Sequence, residues 1–541
     1  MKHWKHSIAC LLSLALLLSV CGCGTASPET ETLTLRLAYG EAPATLDPAF
    51  VTTPLEKTLV CHVFENLMKL TPNGVALGIA RSYTCTDNLD GTESYTFQLR
   101  NGVQWYDGSP LTAQDFVYAW NRLVSPEVNS PNREILSVVA GYEEAVNGSA
   151  DALRIWAEDS ATLVVELNCH CPYFVTSICT SAVTMPMQKD VKEVPDFADS
   201  SIGIPTNGAY QVSAWQKDGE KHMLLTASAS YYDKKHLGPG KLDFLFADTA
   251  QQAQQLYEAG EADFVMNAST ADGIENAVSI PLPESTFLIV NVMADHLRQQ
   301  AVRQAMSLVI DRNELATLEP TFIPADGLIP EGVHTTVGEH SHFREINGPL
   351  VDNDPEHMQD NYSAALELLS QTRVSTSYLS NMGSVSLLCQ NTPTQYQLAL
   401  RLQKMWQEKL GLNIVIDSVD QEEYQSALSQ GEFSLAVLTV SPLNNDAWEY
   451  LKDFSTGKEK NYGLYSFTAY DLLMRTASQS DSAEARDAYL EDAERLLLES
   501  GYIIPLYCQE THYLLRPGLS GILENGFGQC CFHNVITVKE G

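Results

Sequence analysis

Two hydrophobic periodicities alternate along this chain, and the stretch from Tyr95 to Leu123 contains both. Its first residues alternate between apolar and polar, which predicts a half-buried strand over Tyr95–Leu99. Two glycine-containing turns follow. Apolar residues then recur at helical spacing, and Thr112 can cap that helix with Asp115 in its first turn. The pattern therefore predicts a strand, two turns and a helix in succession.

The rest of the chain continues this alternation of strands and amphipathic helices, which is typical of α/β proteins. Further strands are predicted at Leu33–Ala38, Thr162–Leu167, Leu242–Phe246, Phe287–Val292, Asn413–Ile416 and Phe433–Val440. Further helices are predicted at Gln251–Gly260, Leu297–Val309, Leu398–Leu410 and Asp481–Glu499. The last of these has Asp481 as its predicted N-cap and Gly501 beyond its end. The Pro- and Gly-rich stretch Pro320–Glu331 is predicted to be a loop.

The amino terminus has the pattern of an export signal. Basic residues precede an apolar stretch, Ile8–Val20, which is shorter than the ~20 residues of a membrane span. The stretch ends in Val20-Cys21-Gly22-Cys23, which is similar to a bacterial lipobox, and the small Gly22 favours Cys23 as the lipidated residue. An ordinary signal peptide with an incidental cysteine is the alternative. We expect a signal peptide over 1–22, a polar tether over 23–32, and a lipid-anchored protein that faces outside the cytoplasm.

Length and charge limit the classes of protein that fit. A chain of 541 residues exceeds what one hydrophobic core usually serves, so two or three domains are expected. The formal charge is -35, and the acidic residues are spread along the chain. Nucleic-acid binding needs a basic surface, so no nucleic-acid partner is expected.

Nine of the twelve cysteines follow the export signal, and an odd number leaves at least one unpaired within the chain. Cys169-His170-Cys171 with Cys179 is the densest group, but its spacing departs from the C-x2-C of structural zinc sites. Buried thiols or a local disulfide are the remaining interpretations.

Enzymatic and metal chemistry have little support in the sequence. The chain contains no G-x-S-x-G, H-E-x-x-H or P-loop pattern. The pair His340 and His342 lies in a polar stretch, where histidines are more often solvated than metal-bound. We therefore expect no enzymatic activity, no metal and no cofactor.

The stretch from Tyr95 to Leu123 closely resembles the segment Y-T-F-x-L-R-x-G-x-x-W-x-D-G-x-P-x-T-A-x-D-F-V-Y-x-W of the family 5 extracellular solute-binding proteins, the oligopeptide-, dipeptide- and nickel-binding components of bacterial ABC importers. Shorter stretches are also similar to this family: P-A-T-L-D-P at 43–48, N-G-A-Y at 207–210, V-R-Q-A-M-S-L-V-I-D-R at 302–312 and I-I-P-L-Y at 503–507. The resemblance implies an α/β fold of the periplasmic-binding-protein-like type II, with two main lobes around a ligand cleft plus an inserted third domain. Domain I is expected to comprise 33–62, 186–290 and 505–541, domain II 63–185, and domain III 291–504.

The resemblance also implies a function. A monomer would capture a peptide or similar extended solute by hinge closure and deliver it to an ABC permease. The ligand backbone would pair with short strands of domains I and III. The residues that match those strands are Phe50, Val51, Thr52, Thr53, Asn267, Ala268, Ser269, Val440 and Ser441.

One family motif is missing from this chain. Oligopeptide-binding members carry W-x-x-D, whose Asp holds the terminal ammonium of the peptide. The corresponding positions are Val440 and Leu443, which cannot bind an ammonium. Asn444, Asn445 and Asp446 follow directly and are the candidates to replace it, with Asp446 the only charged one. An amine-blocked or non-peptide ligand, bound by an extracellular sensor or chaperone-like protein without an import role, is the alternative function.

Overall fold

The structure is a computed structural model that describes residues 33–88, 91–149, 151–189, 198, 204–215, 221–268, 277–335, 342–372, 374–381, 383–480 and 482–538. The predicted signal peptide and tether, with Cys23, lie outside the described residues. So do Ser269, His340 and Asp481.

Strands and helices alternate along the chain, as the hydrophobic pattern predicts. The strands are β1 Thr34–Tyr39, β2 Met68–Thr71, β3 Gly74–Leu77, β4 Ala80–Asp87, β5 Glu93–Leu99, β6 Ile155–Asp159, β7 Thr162–Leu167, β8 Tyr210–Ala214, β9 His222–Ala227, β10 Lys241–Phe246, β11 Phe264–Met266, β12 Ala277–Val290, β13 Phe322–Pro324, β14 Ser384–Gln390, β15 Asn413–Val419, β16 Leu435–Val440, β17 Ile503–Leu515, β18 Leu519–Ser520, β19 Leu523–Glu524, β20 Cys530–Cys531 and β21 Ile536–Thr537. The α-helices are α1 Pro54–Val63, α2 Ala113–Val124, α3 Tyr142–Val146, α4 Ala250–Glu258, α5 Gln300–Leu308, α6 Arg312–Ala316, α7 Phe343–Asn347, α8 Met358–Gln371, α9 Thr376–Asn381, α10 Pro393–Leu410, α11 Gln421–Gln430, α12 Trp448–Leu451, α13 Thr468–Ser478 and α14 Ala483–Ser500.

One large sheet runs through both main lobes in the order β15-β14-β16-β12-β17-β11-β1-β10-β9-β8. We call the part from β11 to β8 the amino-lobe and the part from β15 to β16 the carboxy-lobe. The long antiparallel strands β12 and β17 pair with each other along both and join them. The two lobes therefore share one continuous hydrogen-bonded framework.

Strand β12 shows how the carboxy-lobe is layered. Leu288 and Val290 belong to one buried core, and Phe287 and Ile289 belong to a second. Because successive side chains of a strand point to opposite faces, the sheet is covered by apolar layers on both sides. This is the arrangement that α/β proteins require.

The antiparallel sheet β4-β5-β7-β6 and α2 form what we call the inserted domain. Tyr95, Phe97 and Leu99 are buried and alternate with half-buried residues, which confirms the predicted strand. The carboxylate of Asp115 accepts a hydrogen bond from the backbone N of Thr112 at 2.7 Å, so this residue fixes the start of α2 as expected.

Several boundaries differ from the prediction. The strand expected at Phe287–Val292 begins at Ala277, because β12 extends into the amino-lobe. The helix expected from Leu297 begins at Gln300, after a separate 3-10 turn. The predicted N-cap Asp481 is wrong, because the hydroxyl of Ser482 accepts the capping hydrogen bond at the start of α14. The loop after Pro320 contains β13, which pairs with β17.

The fold class is confirmed, whereas the exact domain boundaries stay a prediction. Within the described part of the chain, every helix falls short of the length and apolar character needed to cross a bilayer.

Candidate functional site

A cavity of about 610 Å³ lies where the amino-lobe, the inserted domain and the carboxy-lobe meet. We call it the central cavity. Its walls come from α1, from the inserted-domain segment 172–183, from the carboxy-lobe segments 334–335, 443–446 and 483–487, and from the loop 525–533 near the carboxyl terminus. A volume of this size accommodates a small extended ligand.

Helix α1 forms the amino-lobe wall with one of its faces. Lys57 and Cys61 line the cavity from α1, and their spacing of four residues places them on one side of the helix. Phe64 and Glu65 also line the cavity and follow the end of this helix at Val63. The helix starts with a capping box, in which Thr53 and Glu56 exchange hydrogen bonds. The cap fixes the direction in which this face points.

Glu65 is buried in the wall of the central cavity and is held by two phenols. The hydroxyls of Tyr231 and Tyr232 each donate to one of its carboxylate oxygens. Burial raises the pKa of Glu65, while Lys69 and the two phenols act in the opposite direction. Lys69 in turn forms an ion pair with Asp233, with Nζ and Oδ2 2.9 Å apart.

The carboxy-lobe wall carries a buried charge cluster. Arg486 donates to both oxygens of Asp446, from Nη2 to Oδ1 at 2.6 Å and from Nη1 to Oδ2 at 3.0 Å. Asp487 Oδ1 lies 3.9 Å from Arg486 Nη1, and the hydroxyl of Thr335 donates to Asp487. Burial lowers the pKa of Arg486, but the two carboxylates raise it by more, and burial raises the pKa of Asp487.

Asp446 is therefore already paired, although sequence reasoning identified it as the replacement for the missing ammonium site. It also accepts from the backbone N of Trp448 at 2.8 Å. Its role in ligand recognition stays a prediction. Arg486 and Asp487, which lie beside it, were not identified from the sequence, because a charged pair near the start of a helix usually marks a solvated face.

The neighbouring asparagines make structural contacts. Asn445 accepts from the backbone N of His334 at 2.8 Å and donates to the carbonyl of Gly332 at 2.9 Å, so it fixes that loop. Asn444 accepts from the hydroxyl of Ser177 at 3.2 Å, which joins the carboxy-lobe to the inserted domain. Both amides line cavities, Asn445 the central one and Asn444 the one described next.

A second cavity of about 360 Å³, the side cavity, follows the end of β16. It is lined by the continuous segment 437–444, which includes the predicted residues Val440 and Ser441. Leu443 lines both cavities and lies between them. The stretch 440–446, which contains the predicted ligand-binding residues of the carboxy-lobe, therefore contributes to the walls of both cavities.

Strand β16 has an open edge beside the side cavity. On one side it pairs with β12 from Leu435 to Val440. On the other side, among the described residues, β14 pairs only with Leu435 and Ala436. The residues that follow, up to Val440, therefore have no strand neighbour on this side in the described part of the chain, and they line the side cavity. The carbonyl of Val437 accepts from the hydroxyl of Tyr424, so the edge that is open to an added strand begins at Leu438.

The other predicted contacts lie away from both cavities. The backbone N atoms of Thr52 and Thr53 donate to Glu56 at 2.8 and 3.1 Å, and Asn132 donates to the carbonyl of Val51 at 2.9 Å. Phe50 and its three neighbours line neither cavity. Their peptide groups are used within the protein, so pairing with a ligand there stays a prediction.

Asn267 and Ala268, which are also predicted to contact the ligand, likewise have partners within the protein. Asn267 accepts from the hydroxyl of Thr511 at 2.5 Å, and the backbone N of Ala268 donates to the carbonyl of His512 at 3.3 Å. These two residues line neither cavity, and Ser269 lies outside the described residues.

The nine cysteines from Cys61 to Cys531 are free thiols, so the local disulfide is not formed in this structure. His170 Nδ1 lies 2.5 Å from Glu93 Oε1, and the backbone N of Cys171 donates to Glu93 Oε2 at 3.1 Å, so the Cys169-His170-Cys171 segment is held against the start of β5. His62, Cys531 and His533 have potential ligand atoms within 4.8 Å of one another. Both ring nitrogens of His62 already have backbone partners, at Thr58 O (2.6 Å) and Phe532 N (2.9 Å), so this imidazole is not available to a metal.

Known proteins are similar to this chain over most of its length. The chain is 26% identical over 491 residues to the "Probable deoxycholate-binding periplasmic protein YgiS" of Escherichia coli (strain K12), and 88% of each protein is covered. It is also 26% identical to the "Periplasmic murein peptide-binding protein MppA" of the same strain, over 89% of this chain and 88% of the relative.

A solved structure supports the fold. The structure described as "MppA Periplasmic Murein Tripeptide Binding Protein, Unliganded Open Form" superposes with a TM-score of 0.79 at 23% identity, over 94% of this chain and 98% of that one. The sequence profile of the family described as "Bacterial extracellular solute-binding proteins, family 5 Middle" matches residues 75–462, which is more than half of the chain. The chain therefore belongs to the family 5 bacterial extracellular solute-binding proteins.

Proposed function

We propose that this protein captures peptides or similarly extended solutes for a bacterial ABC importer. The open edge of β16 beside the side cavity carries the proposal, because an extended backbone can add to an unpaired strand edge without requiring particular side chains. Relatives with the printed names murein peptide-binding and dipeptide-binding protein support a peptide ligand.

In the proposed complex the ligand backbone lies along Leu438–Ser441. Its far end passes Leu443 and enters the central cavity, since that side chain lines both spaces. The amino-lobe then closes over the carboxy-lobe, with β12 and β17 as the connection between them. The domain boundaries given by the family resemblance describe the parts that move.

The closed protein acts as a monomer that docks on the permease. We place it outside the cytoplasm, held to the membrane by a lipid on Cys23 and by the tether 23–32. Replacing Cys23 by Ala is expected to abolish the incorporation of labelled fatty acid into the protein, and incorporation that persists in the variant would contradict the lipid anchor on Cys23.

A bulky residue at position 443 tests the ligand site. We expect Leu443→Trp to fill the passage between the cavities and to abolish the rise in melting temperature that a pool of short peptides gives the wild-type protein. At a ligand concentration of about 100 Kd, binding to the native state stabilises by about 2.7 kcal/mol. Leu472→Trp is the matched control, because Leu472 is 52% exposed on α13 and lines neither cavity.

The result separates the hypotheses. A wild-type protein whose melting temperature does not respond to any peptide pool contradicts peptide capture. A Leu443→Trp variant that still responds like the control contradicts the proposed site. Mass spectrometry of the small molecules that remain bound to protein purified from its own cells identifies the natural ligand.

A further inference from the structure

Lys57 has an unusual position in the central cavity. Three cationic side chains line this cavity in the described part of the chain: Lys57, Lys69 and Arg486. Lys69 is paired with Asp233 and Arg486 with Asp446. Among the described residues no ion-pair partner lies within 4.0 Å of Lys57, which points from α1 into the cavity.

The acidic side chain that acts on Lys57, that of Glu56, is occupied. The carboxylate of Glu56 accepts hydrogen bonds from the backbone N atoms of Ala44, Thr52 and Thr53, at 3.0, 2.8 and 3.1 Å. One turn further along α1, burial raises the pKa of the Cys61 thiol, so this group stays neutral and supplies no negative charge.

The environment of Lys57 disfavours its own charge. Burial lowers the pKa of Lys57, and the weaker attraction of Glu56 does not offset it. A half-buried ammonium that lacks a compensating charge reduces the stability of the folded, unliganded protein. A negatively charged ligand group placed beside it would remove that cost.

We propose that Lys57 binds a carboxylate of the captured solute when the lobes close. The inference rests on the proposed function, in that a solute must occupy the central cavity. A carboxylate fits better than a phosphate, because one unpaired lysine supplies one positive charge, and the nearby acids Glu65 and Asp487 would repel a second negative charge. The carboxylate can be the carboxyl terminus of a peptide or the acid group of a small amphiphile.

Isothermal titration calorimetry with matched probes tests this inference. The probes are a pool of tripeptides with free carboxyl termini, the same pool as carboxyl-terminal amides, and sodium deoxycholate. Each is titrated into the wild-type protein and into the variants Lys57→Met, Lys57→Arg and Lys404→Met. Lys404 is the control, because it is exposed on α10 and lines neither cavity.

We expect at least a tenfold loss of affinity for a carboxylate probe in Lys57→Met, retention in Lys57→Arg, and no change in Lys404→Met. The wild-type protein is expected to prefer the free-acid tripeptides over the amides by a similar factor, and Lys57→Met to bind the two pools alike. If only deoxycholate binds, and Lys57→Met loses affinity for it, the result would support the carboxylate-binding role of Lys57 and contradict peptide capture.

A second readout distinguishes charge from packing. Because the pKa of Lys57 is lowered in the free protein and a bound carboxylate raises it, binding above neutral pH takes up protons. The measured enthalpy should therefore depend on the ionisation enthalpy of the buffer in the wild-type protein and not in Lys57→Met. If free-acid and amidated peptides bind equally and Lys57→Met keeps full affinity, the inference is overturned while peptide capture stands. If none of the probes binds, both are overturned.

Discussion

Arg486 donates to both carboxylate oxygens of Asp446, at 2.6 and 3.0 Å, and this bidentate pair is buried in the wall of the central cavity. The pair joins the loop after β16 to the start of α14. A charge pair in such a position holds the loop in one orientation, and the cost of breaking it depends on what remains unpaired.

Replacing only one member of this pair is expected to be strongly destabilising. Asp446→Leu leaves a buried guanidinium with only Asp487 nearby, so the free energy of unfolding should fall by about 3–5 kcal/mol. The double variant Asp446→Leu/Arg486→Met removes both charges and should recover most of that loss. Urea unfolding of the three proteins measures the difference, and equal losses in the single and double variants would contradict the argument.

A second buried pair anchors the loop that contains β13. Glu494 is fully buried, and one of its oxygens accepts from the backbone N of Leu328 at 2.7 Å, from Ile329 N at 2.9 Å and from Arg344. Glu494→Gln removes the negative charge beside this arginine, and we expect a loss of about 3–5 kcal/mol.

The matched control for that variant is on the same helix. Glu491→Gln removes an exposed i, i+4 pair with Arg495 and should change stability by less than about 0.5 kcal/mol. The two variants are compared by urea unfolding at one pH. Similar effects of the two would mean that burial does not determine the strength of these pairs.

The stability of the protein should fall in mild acid because of His62. Burial lowers the pKa of His62 to about 4, which is below the usual 6.5. Between these values the unfolded chain takes up a proton that the folded chain does not, so stability falls as the pH drops from 6.5 to 4. The full effect is about 3 kcal/mol for this side chain.

The contribution of His62 is measured as a slope. The free energy of unfolding is determined from pH 7.5 to pH 4 for the wild-type protein, for His62→Asn and for His222→Asn, which alters an exposed histidine. Only the first variant should lose about one proton from the pH dependence. An unchanged slope in His62→Asn would show that another group is responsible.

Gly526 permits close contact between the carboxyl-terminal loop and the carboxy-lobe. Its φ is +75°, and an added Cβ would lie 2.7 Å from Asn445 Nδ2 and 3.2 Å from Gly332 O. Gly526→Ala should therefore destabilise by about 2–3 kcal/mol, from the left-handed backbone and the contact together. Gly518→Ala isolates the backbone effect, because the φ of Gly518 is +85° and the atom nearest to an added Cβ, Val538 O, is 3.8 Å away.

Thermal and urea unfolding of the two glycine variants give the steric part by difference. Small-angle scattering shows whether Gly526→Ala also separates the lobes. Equal losses of stability in Gly526→Ala and Gly518→Ala would mean that the carboxyl-terminal loop moves away from Asn445 without a cost in free energy.

The sequence predicts elements better than it predicts the site. The strand at Tyr95–Leu99 and the helix that contains Trp120 each bury one face, so their apolar residues recur with the period of the element. The structure confirms both elements. Lys57 was not identified, because a lysine on an amphipathic helix usually lies in solvent, and only the tertiary structure places a cavity there.

The features of the site that the sequence does not predict depend on contacts between residues far apart in the chain. Asp446 was noticed because it is the only charge near the missing motif, but its partner Arg486 lies forty residues further along the chain. The apolar run ending at Val440 predicts a strand and cannot tell which of its edges is paired. That depends on β14, which pairs with only two residues of β16.

The position of β17 inside the large sheet sets the order in which a newly made chain can complete its fold. Strand β17 lies between β12 and β11, although it is the last long strand to be synthesised. About 470 residues separate Thr34 from Ile503, so at ~5–20 residues per second β1 is made roughly 25–95 s before β17. A chain interrupted before Ile503 would expose the edges of β11 and β12, which are templates for aggregation. An intact carboxyl terminus is thus the condition for a sheet without these two open edges.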